Sequence, residues 1–475
     1  MRPDADIVDY VVSLRRHIAR VDRTRRDQSD AAQVEQGGFL PDRGWFRVNT
    51  DNSLLETGLN TLSGSARALD AASGRNTFVL VAFTALTNLA DGVTKVALPL
   101  MATALTQSPM YVSGVSLTLT LPWLLVALHV GVLVDRADRR VLLWIANCMR
   151  LAAIATLILL SLSNSITLPV LYAGGLALGI AEVIALTSAA ALIPDAVAPA
   201  ARERANAWVA GAETVCNEFC GPLVGGLLLA VGTAFALGTV AGAYLIGVLV
   251  LFLLIGRFRV ARATDAPNAP VRTQIIEGLH CLWREPILRL IAVTLTVLCA
   301  CWGAWLAVMP LFATKVMGLD ARGYGVMLSA LGIGGFVGAI SVTTLNRWFG
   351  RRTVMLIDLL GTLAMMAMPV ATVNLWAVAA SAFAGGLGGT LWSVNARTIS
   401  QSLVPGSLLG RYNAAARLFS WGAMPVGAGL GGVLAEWVGM RAALAGFAVV
   451  TLLLVVPFLR VATPAALNAA KSSPR

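Results

Sequence analysis

GVLVDRADRR, residues Gly131–Arg140, packs two Asp and three Arg into ten positions between the apolar runs Tyr111–Val134 and Val141–Met149. Hydrocarbon would not accept that density of charge, so the stretch reads as a short aqueous loop joining two membrane-spanning helices. The 475-residue chain is 57% hydrophobic and 13% charged, with a mean hydropathy of +0.75. Those values lie outside the range of soluble domains and describe an integral membrane protein.

The formal charge of +11 does not point to nucleic acid, because the arginines are dispersed between apolar runs. A positive-inside bias accounts for the surplus. The six cysteines, Cys148, Cys216, Cys220, Cys281, Cys299 and Cys301, form no CxxC pair, so neither a disulfide framework nor a zinc site is indicated. No Walker loop and no Ser-His-Asp constellation stands out, and no enzyme is expected.

Residues 1–75 hold no run long enough to be a signal peptide or a span and are expected to form a cytoplasmic N-terminal extension. Ile7, Val11, Leu14, Ile18 and Val21 share a helical stripe, with Arg15, Arg16, Arg20, Arg23, Arg25 and Arg26 on the polar side. Such a basic amphipathic helix could lie on the anionic inner leaflet, pair with a partner helix or stay solvated.

From Asn76 onward, twelve apolar segments are expected at 77–104, 111–134, 141–162, 167–193, 205–231, 234–256, 287–314, 323–345, 353–372, 375–399, 409–434 and 440–461. Each is long enough to cross a hydrocarbon core of about 30 Å. Arginines concentrate in alternate loops, at Arg136, Arg139 and Arg140, at Arg202 and Arg204, at 257–284, and at Arg347, Arg351 and Arg352. The opposite loops hold Lys315, Arg322 and Arg441. That asymmetry places both termini in the cytoplasm. It divides the chain into the extension 1–75, a six-helix half 76–256, a linker 257–286, a second six-helix half 287–462 and a tail 463–475.

An internal repeat supports the halving. Arg204–Gly232 and Arg411–Gly439 both open Arg-x-Asn-Ala and later carry Gly-Gly, at an offset of about 207 residues. NRWFGRR (Asn346–Arg352) is a degraded echo of the loop at Gly131–Arg140.

That loop resembles the GxxxDRxGRR signature of the major facilitator superfamily, with Asp138 where a Gly is usual. LTNLADGVTKVALPL, LGIAEVIALTSAAALIPDAV and the repeat segments resemble the bacterial branch of enterobactin-exporter-like and macrolide-efflux-like proteins. The likeness covers about 76–462. It implies an all-α membrane protein of twelve helices in two pseudo-symmetric halves, in a bacterial inner membrane, exporting an amphipathic organic molecule by alternating access. The energy source would be the proton gradient, with no cofactor. A small-molecule substrate and the lipid bilayer are the implied partners. A lipid or lysolipid flippase of the same fold and a transporter-like sensor are the alternatives.

The resemblance assigns roles to particular residues. Gly131, Asp135, Arg136, Arg139 and Arg140 would form a gating loop, with Asp135 accepting hydrogen bonds from the first turn of the eleventh helix near Leu409–Tyr412. A carboxylate at a helix N-terminus is favoured by about 0.3–2 kcal/mol. Gly221, Pro222, Gly225 and Gly226 match the core of the GxxxGPxxGG exporter signature, and Asn217 replaces its first Gly. Pro bends the helix, and small residues admit a close neighbour.

Charges inside the spans carry a reading of their own. Asp91, Arg150, Glu182 and Glu218 fall roughly 15–21 Å from the cytoplasmic ends, near the bilayer centre, and Lys95 lies one turn beyond Asp91. An isolated charge at that depth costs at least about 2.5 kcal/mol, so these groups should pair and face the cavity. Proton coupling or a permanent structural pairing are the two readings. Glu213 resembles the branch's fifth-span pattern and is a further candidate for proton coupling or for pairing at the inner rim. It shares a face with Asn217, whereas Glu218 is rotated about 140° from it on an α-helix. The second half holds instead Trp302, Trp305, Trp392 and Trp421, expected as an aromatic substrate wall, or as packing and interfacial anchors.

Overall fold

The computed structural model describes residues 52–255 and 271–463, apart from 405–407, 409–411, 413–414 and 417–418. The side chains of 52–72, 128, 135–136 and 271–275 lie outside that description, as do the expected N-terminal amphipathic helix, most of the linker and the tail. Residues 1–71 with 198–201 make one compact unit, in which the described part is helical from Asn52 and has a single 3-10 turn at Pro199–Ala201. Residues 72–197 with 202–475 make the other.

The described secondary structure is helical throughout. The helices before residue 256 are α1 (Asn52–Leu105), α2 (Pro109–Leu125), α3 (Ala127–Arg136), α4 (Arg139–Leu162), α5 (Leu168–Ala196), α6 (Arg202–Glu213), α7 (Gly221–Val231) and α8 (Thr233–Leu251). After residue 270 follow α9 (Val271–Arg284), α10 (Pro286–Leu311), α11 (Ala321–Ala371), α12 (Leu375–Leu403), α13 (Ala423–Val438) and α14 (Met440–Val461). Nine helical stretches among the described residues are long and apolar enough to cross a membrane.

Helix starts follow the side chains available. Ser108, Asp138, Asp320 and Asn374 accept hydrogen bonds from the first free N–H groups of α2, α4, α11 and α12. Gly232 and Gly439, about 207 residues apart, sit at positive φ (+158° and +90°) where α7 turns into α8 and α13 into α14. Only glycine adopts the second of these without strain.

Two local breaks mark the helices. The segment expected at 111–134 is two helices, because Pro122 removes a backbone donor near the end of α2 and the chain breaks at Val126 (φ −112°, ψ −22°). The segments expected at 323–345 and 353–372 are two helices on either side of a kink at Gly350 (φ +77°, ψ +153°), which falls in the expected gap, and are labelled together as α11.

Packing divides the large unit into two groups. Ala97, Leu98, Ile154, Leu157, Leu171 and Tyr244 form a core among the helices before residue 256. Trp305, Met327, Met365, Met366, Val378 and Leu444 lead the core among the later ones. Outward faces are apolar, and Trp348, Trp376 and Trp437 are each more than 70% exposed near helix ends. That is where an aromatic belt would meet lipid headgroups.

The groups touch over part of their length. Ser108 Oγ donates to Glu436 Oε2 at 2.6 Å, the Met110 N–H reaches the same carboxylate at 3.3 Å, and Ser113 Oγ donates to the Ala307 carbonyl at 3.1 Å. Ser329 Oγ donates to the Phe219 carbonyl at 3.2 Å. Trp123 stacks on Trp421 with ring centroids 5.0 Å apart. These contacts between the groups lie away from the Arg-rich loops.

Candidate functional site

The centre of the first group is polar. Asp91 on α1 is 5% exposed. Its Oδ2 accepts from Arg150 Nη2 of α4 at 2.5 Å, and its Oδ1 accepts from the Tyr244 hydroxyl of α8 at 2.7 Å. The Arg150 guanidinium lies 5.3 Å from the Tyr244 ring centroid, a cation–π distance. Three helices thus converge on one carboxylate. Nε and Nη1 of Arg150 have no described partner.

One turn along α1, Lys95 Nζ lies 3.3 Å from Glu218 Oε1 and 3.8 Å from Glu182 Oε1. The Lys95 and Glu218 side chains are 37% and 48% exposed, so this second cluster opens to solvent-accessible space while the first does not. Glu213 is half-buried at the end of α6.

Glu218 owes its position to a local irregularity. Thr214–Cys220 form a π turn between α6 and α7, directly before Gly221-Pro222. Pro222 cannot supply an N–H, and the wider i→i+5 turn absorbs that loss. The 140° separation of Glu213 and Glu218 counted for an α-helix therefore does not apply. The same turn buries Asn217, whose Nδ2 donates to Asn88 Oδ1 of α1 at 3.1 Å.

The Gly-Pro signature has two faces. A Cβ on Gly92 would lie 2.5 Å from the Asn217 carbonyl oxygen and 2.9 Å from the Gly221 Cα, and Gly225 lies similarly close to Val93. These contacts seat α7 on α1. Gly226 points elsewhere: a Cβ there would lie 2.5 Å from the Ala321 carbonyl oxygen and 3.0 Å from the Gly325 Cα of α11, in the other group.

In the loop, Gly131 has open space around it. The side chains of Asp135 and Arg136, like residues 409–411, lie outside the described residues, and so does the expected latch. Asp138, which departs from the family pattern, caps α4 by accepting from the Arg140 N–H at 2.9 Å. Arg139 pairs with Asp195 at the end of α5 and donates to the Ala191 carbonyl at 2.9 Å. Arg140 donates to the Leu251 carbonyl at 3.1 Å, closing the C-terminus of α8.

The four tryptophans separate. Trp305 and Trp392 are fully buried within the second group, Trp392 against Phe458, and line no open space in this structure. Trp302 is half-buried with its ring edge against Gly389. Trp421 is exposed and stacks on Trp123, an aromatic residue the sequence reading passed over. Tyr244 and Asp195 were passed over too. Counting depth for hydroxyls as well as charges would have flagged Tyr244, which sits about 15 Å into its span.

Two packed groups of apolar helices around a buried charge cluster describe a helical membrane protein. The fold is that of the major facilitator superfamily. The chain aligns with a nucleoside transporter, NupG, at a TM-score of 0.62 and 12% identity, covering 81% of this chain and 98% of that one. It aligns with a bacterial homologue of the iron transporter ferroportin, solved in an inward-facing state, at 0.63 and 15%, covering 83% and 99%. Within the superfamily, residues 74–475 match the transmembrane secretion effector family, and the chain belongs to it. A relative, the multidrug efflux pump Tap of Mycolicibacterium fortuitum, is 28% identical over 399 residues, covering 80% of this chain and 94% of that protein.

Proposed function

We propose that the protein is a proton-coupled exporter of amphipathic organic compounds, built of twelve spans in two six-helix halves. The observation that carries this reading is the charge balance of the central cluster: three carboxyls, Asp91, Glu182 and Glu218, against two cations, Arg150 and Lys95. Asp91 and Arg150 neutralise one another in the dry interior. Lys95 cannot neutralise Glu182 and Glu218 together, so one acid site is left for a proton or for the positive charge of a substrate.

The likeness to a multidrug efflux pump supports a lipophilic, drug-like substrate. With the Arg-rich loops in the cytoplasm of a bacterium, the contacts between the halves among the described residues would lie towards the outer side, as in a transporter that takes substrate from the inner side. Gly226 against Gly325 is the contact on which the halves would rock. Trp123 and Trp421 offer an aromatic surface between the halves, where Trp305 and Trp392 do not.

The test is uptake of lipophilic cations and macrolides into inside-out vesicles under an imposed pH gradient, comparing the natural chain with Asp91→Asn and Glu182→Gln. Gradient-driven uptake that fails in either variant is the expected result. Uptake indifferent to the gradient would favour a flippase, and no uptake of any compound would favour a sensor.

A further inference from the structure

Asp358 sits on α11 beyond the Gly350 break and is 2% exposed. One side chain engages it: Thr362 Oγ1, 3.4 Å from Oδ1, at the long limit for a hydrogen bond. Gly388 of α12 closes over it so tightly that a Cβ there would lie 2.5 Å from the Asp358 Cα and 2.7 Å from Oδ1.

The charged and titratable surroundings are sparse. From α10, Cys299 is the titratable group within electrostatic reach of it. From α12 the nearest cation, Arg397, is nine residues past Gly388, about 13 Å along the helix. On α11 itself, Arg351 and Arg352 precede it by about 10 Å of helix, and Arg352 is held at the Leu459 carbonyl at 2.8 Å. From α14, Arg460 lies beside that same carbonyl at the helix end. Arg417 is outside the described residues. Among the described residues Asp358 has no ion-pair partner, in contrast to Asp91 with Arg150 and Tyr244.

A carboxylate buried without a cation or a set of strong donors is far less stable than the neutral acid. We infer that Asp358 is a second proton-binding site: a neutral carboxylic acid while α10, α11 and α12 pack as they do here, releasing its proton when that packing opens to water. Ionisation would then favour the opened arrangement, since each protonation state shifts the equilibrium towards the conformation it prefers.

Infrared spectroscopy of the purified chain at neutral pH tests the first part and needs no substrate, so it stands or falls apart from gradient-driven uptake. The spectrum of the natural chain minus that of Asp358→Asn should contain a protonated-carboxyl C=O stretch that shifts in heavy water. Carboxylate stretches in its place would overturn the inference. Should the variant fail to fold, isotopic labelling of aspartate carboxyls in the unaltered chain answers the same question. A labelled protonated-acid band is expected, and label confined to carboxylate bands refutes it.

The second part is read from a chain retaining Cys299 as its single cysteine, alkylated by a membrane-permeant maleimide at a series of pH values. The rate relative to that of the Asp358→Asn version should climb several-fold as pH rises. A ratio that stays flat would show that proton release and opening are unconnected.

Discussion

In the helices before residue 256, Arg140 holds the Leu251 carbonyl at the end of α8; in the helices after 270, Arg352 holds the Leu459 carbonyl at the end of α14. Gly232 and Gly439 make the same turn at matching places. The scaffold is therefore repeated down to single hydrogen bonds, yet the interiors diverge. One group buries an Asp–Arg–Tyr network beside a Lys with two Glu, and the other buries Trp305, Trp392, Met365 and Met366 together with Asp358, which has no ion-pair partner among the described residues. Loop and turn residues preserve the architecture, while a handful of central positions decide which group can handle charge.

The largest effect expected from breaking that contrast is at Asp91. Asp91→Ala leaves Arg150 buried and unpaired and should cost about 3–5 kcal/mol in denaturant unfolding, with gradient-driven transport abolished. Trp392→Ala should cost a similar amount, about 3–5 kcal/mol, by opening a cavity, but the transport that survives should still respond to the pH gradient. If it does not, the two interiors do not divide the work.

Gly92→Val comes next. It forces α1 off the π turn and should destabilise by about 1–3 kcal/mol. Gly226→Val acts between the groups instead, and its signature is faster labelling of single cysteines introduced on α7 beside Gly226 and on α11 beside Gly325. Smaller still, Arg140→Ala and Arg352→Ala should each lose about 0.3–2 kcal/mol of helix-end stabilisation. Equal losses in thermal melting would sharpen the repeat, and a large inequality would break it. At the bottom, a double-mutant cycle on Arg139 and Asp195 should give a coupling of about 0.2–1 kcal/mol, because the pair is partly exposed.

Much of the scaffold was legible in the residue order. A bilayer accepts only long apolar runs, so the helices from Asn76 to Val461 declare themselves, and the displaced repeat of Arg204–Gly232 in Arg411–Gly439 matches the paired turns at Gly232 and Gly439. The charged cluster was half legible. Depth counting brought Asp91, Arg150, Lys95, Glu182 and Glu218 to one level of the membrane but left their pairing open. It also missed Tyr244, whose hydroxyl carries no charge to attract notice.

What the sequence determined alone was where the chain is charged, where it is apolar and where it repeats, because those properties are local and a bilayer enforces them segment by segment. Which side chains meet depended on the rotation and close approach of whole helices. The π turn before Pro222 carries Glu218 to Lys95, Gly92 lets α7 settle on α1, and Gly388 lets α12 close over Asp358. A helix turns its residues through 100° each, so a single wide turn or one glycine contact redirects everything that follows, and only the packed structure records where it points.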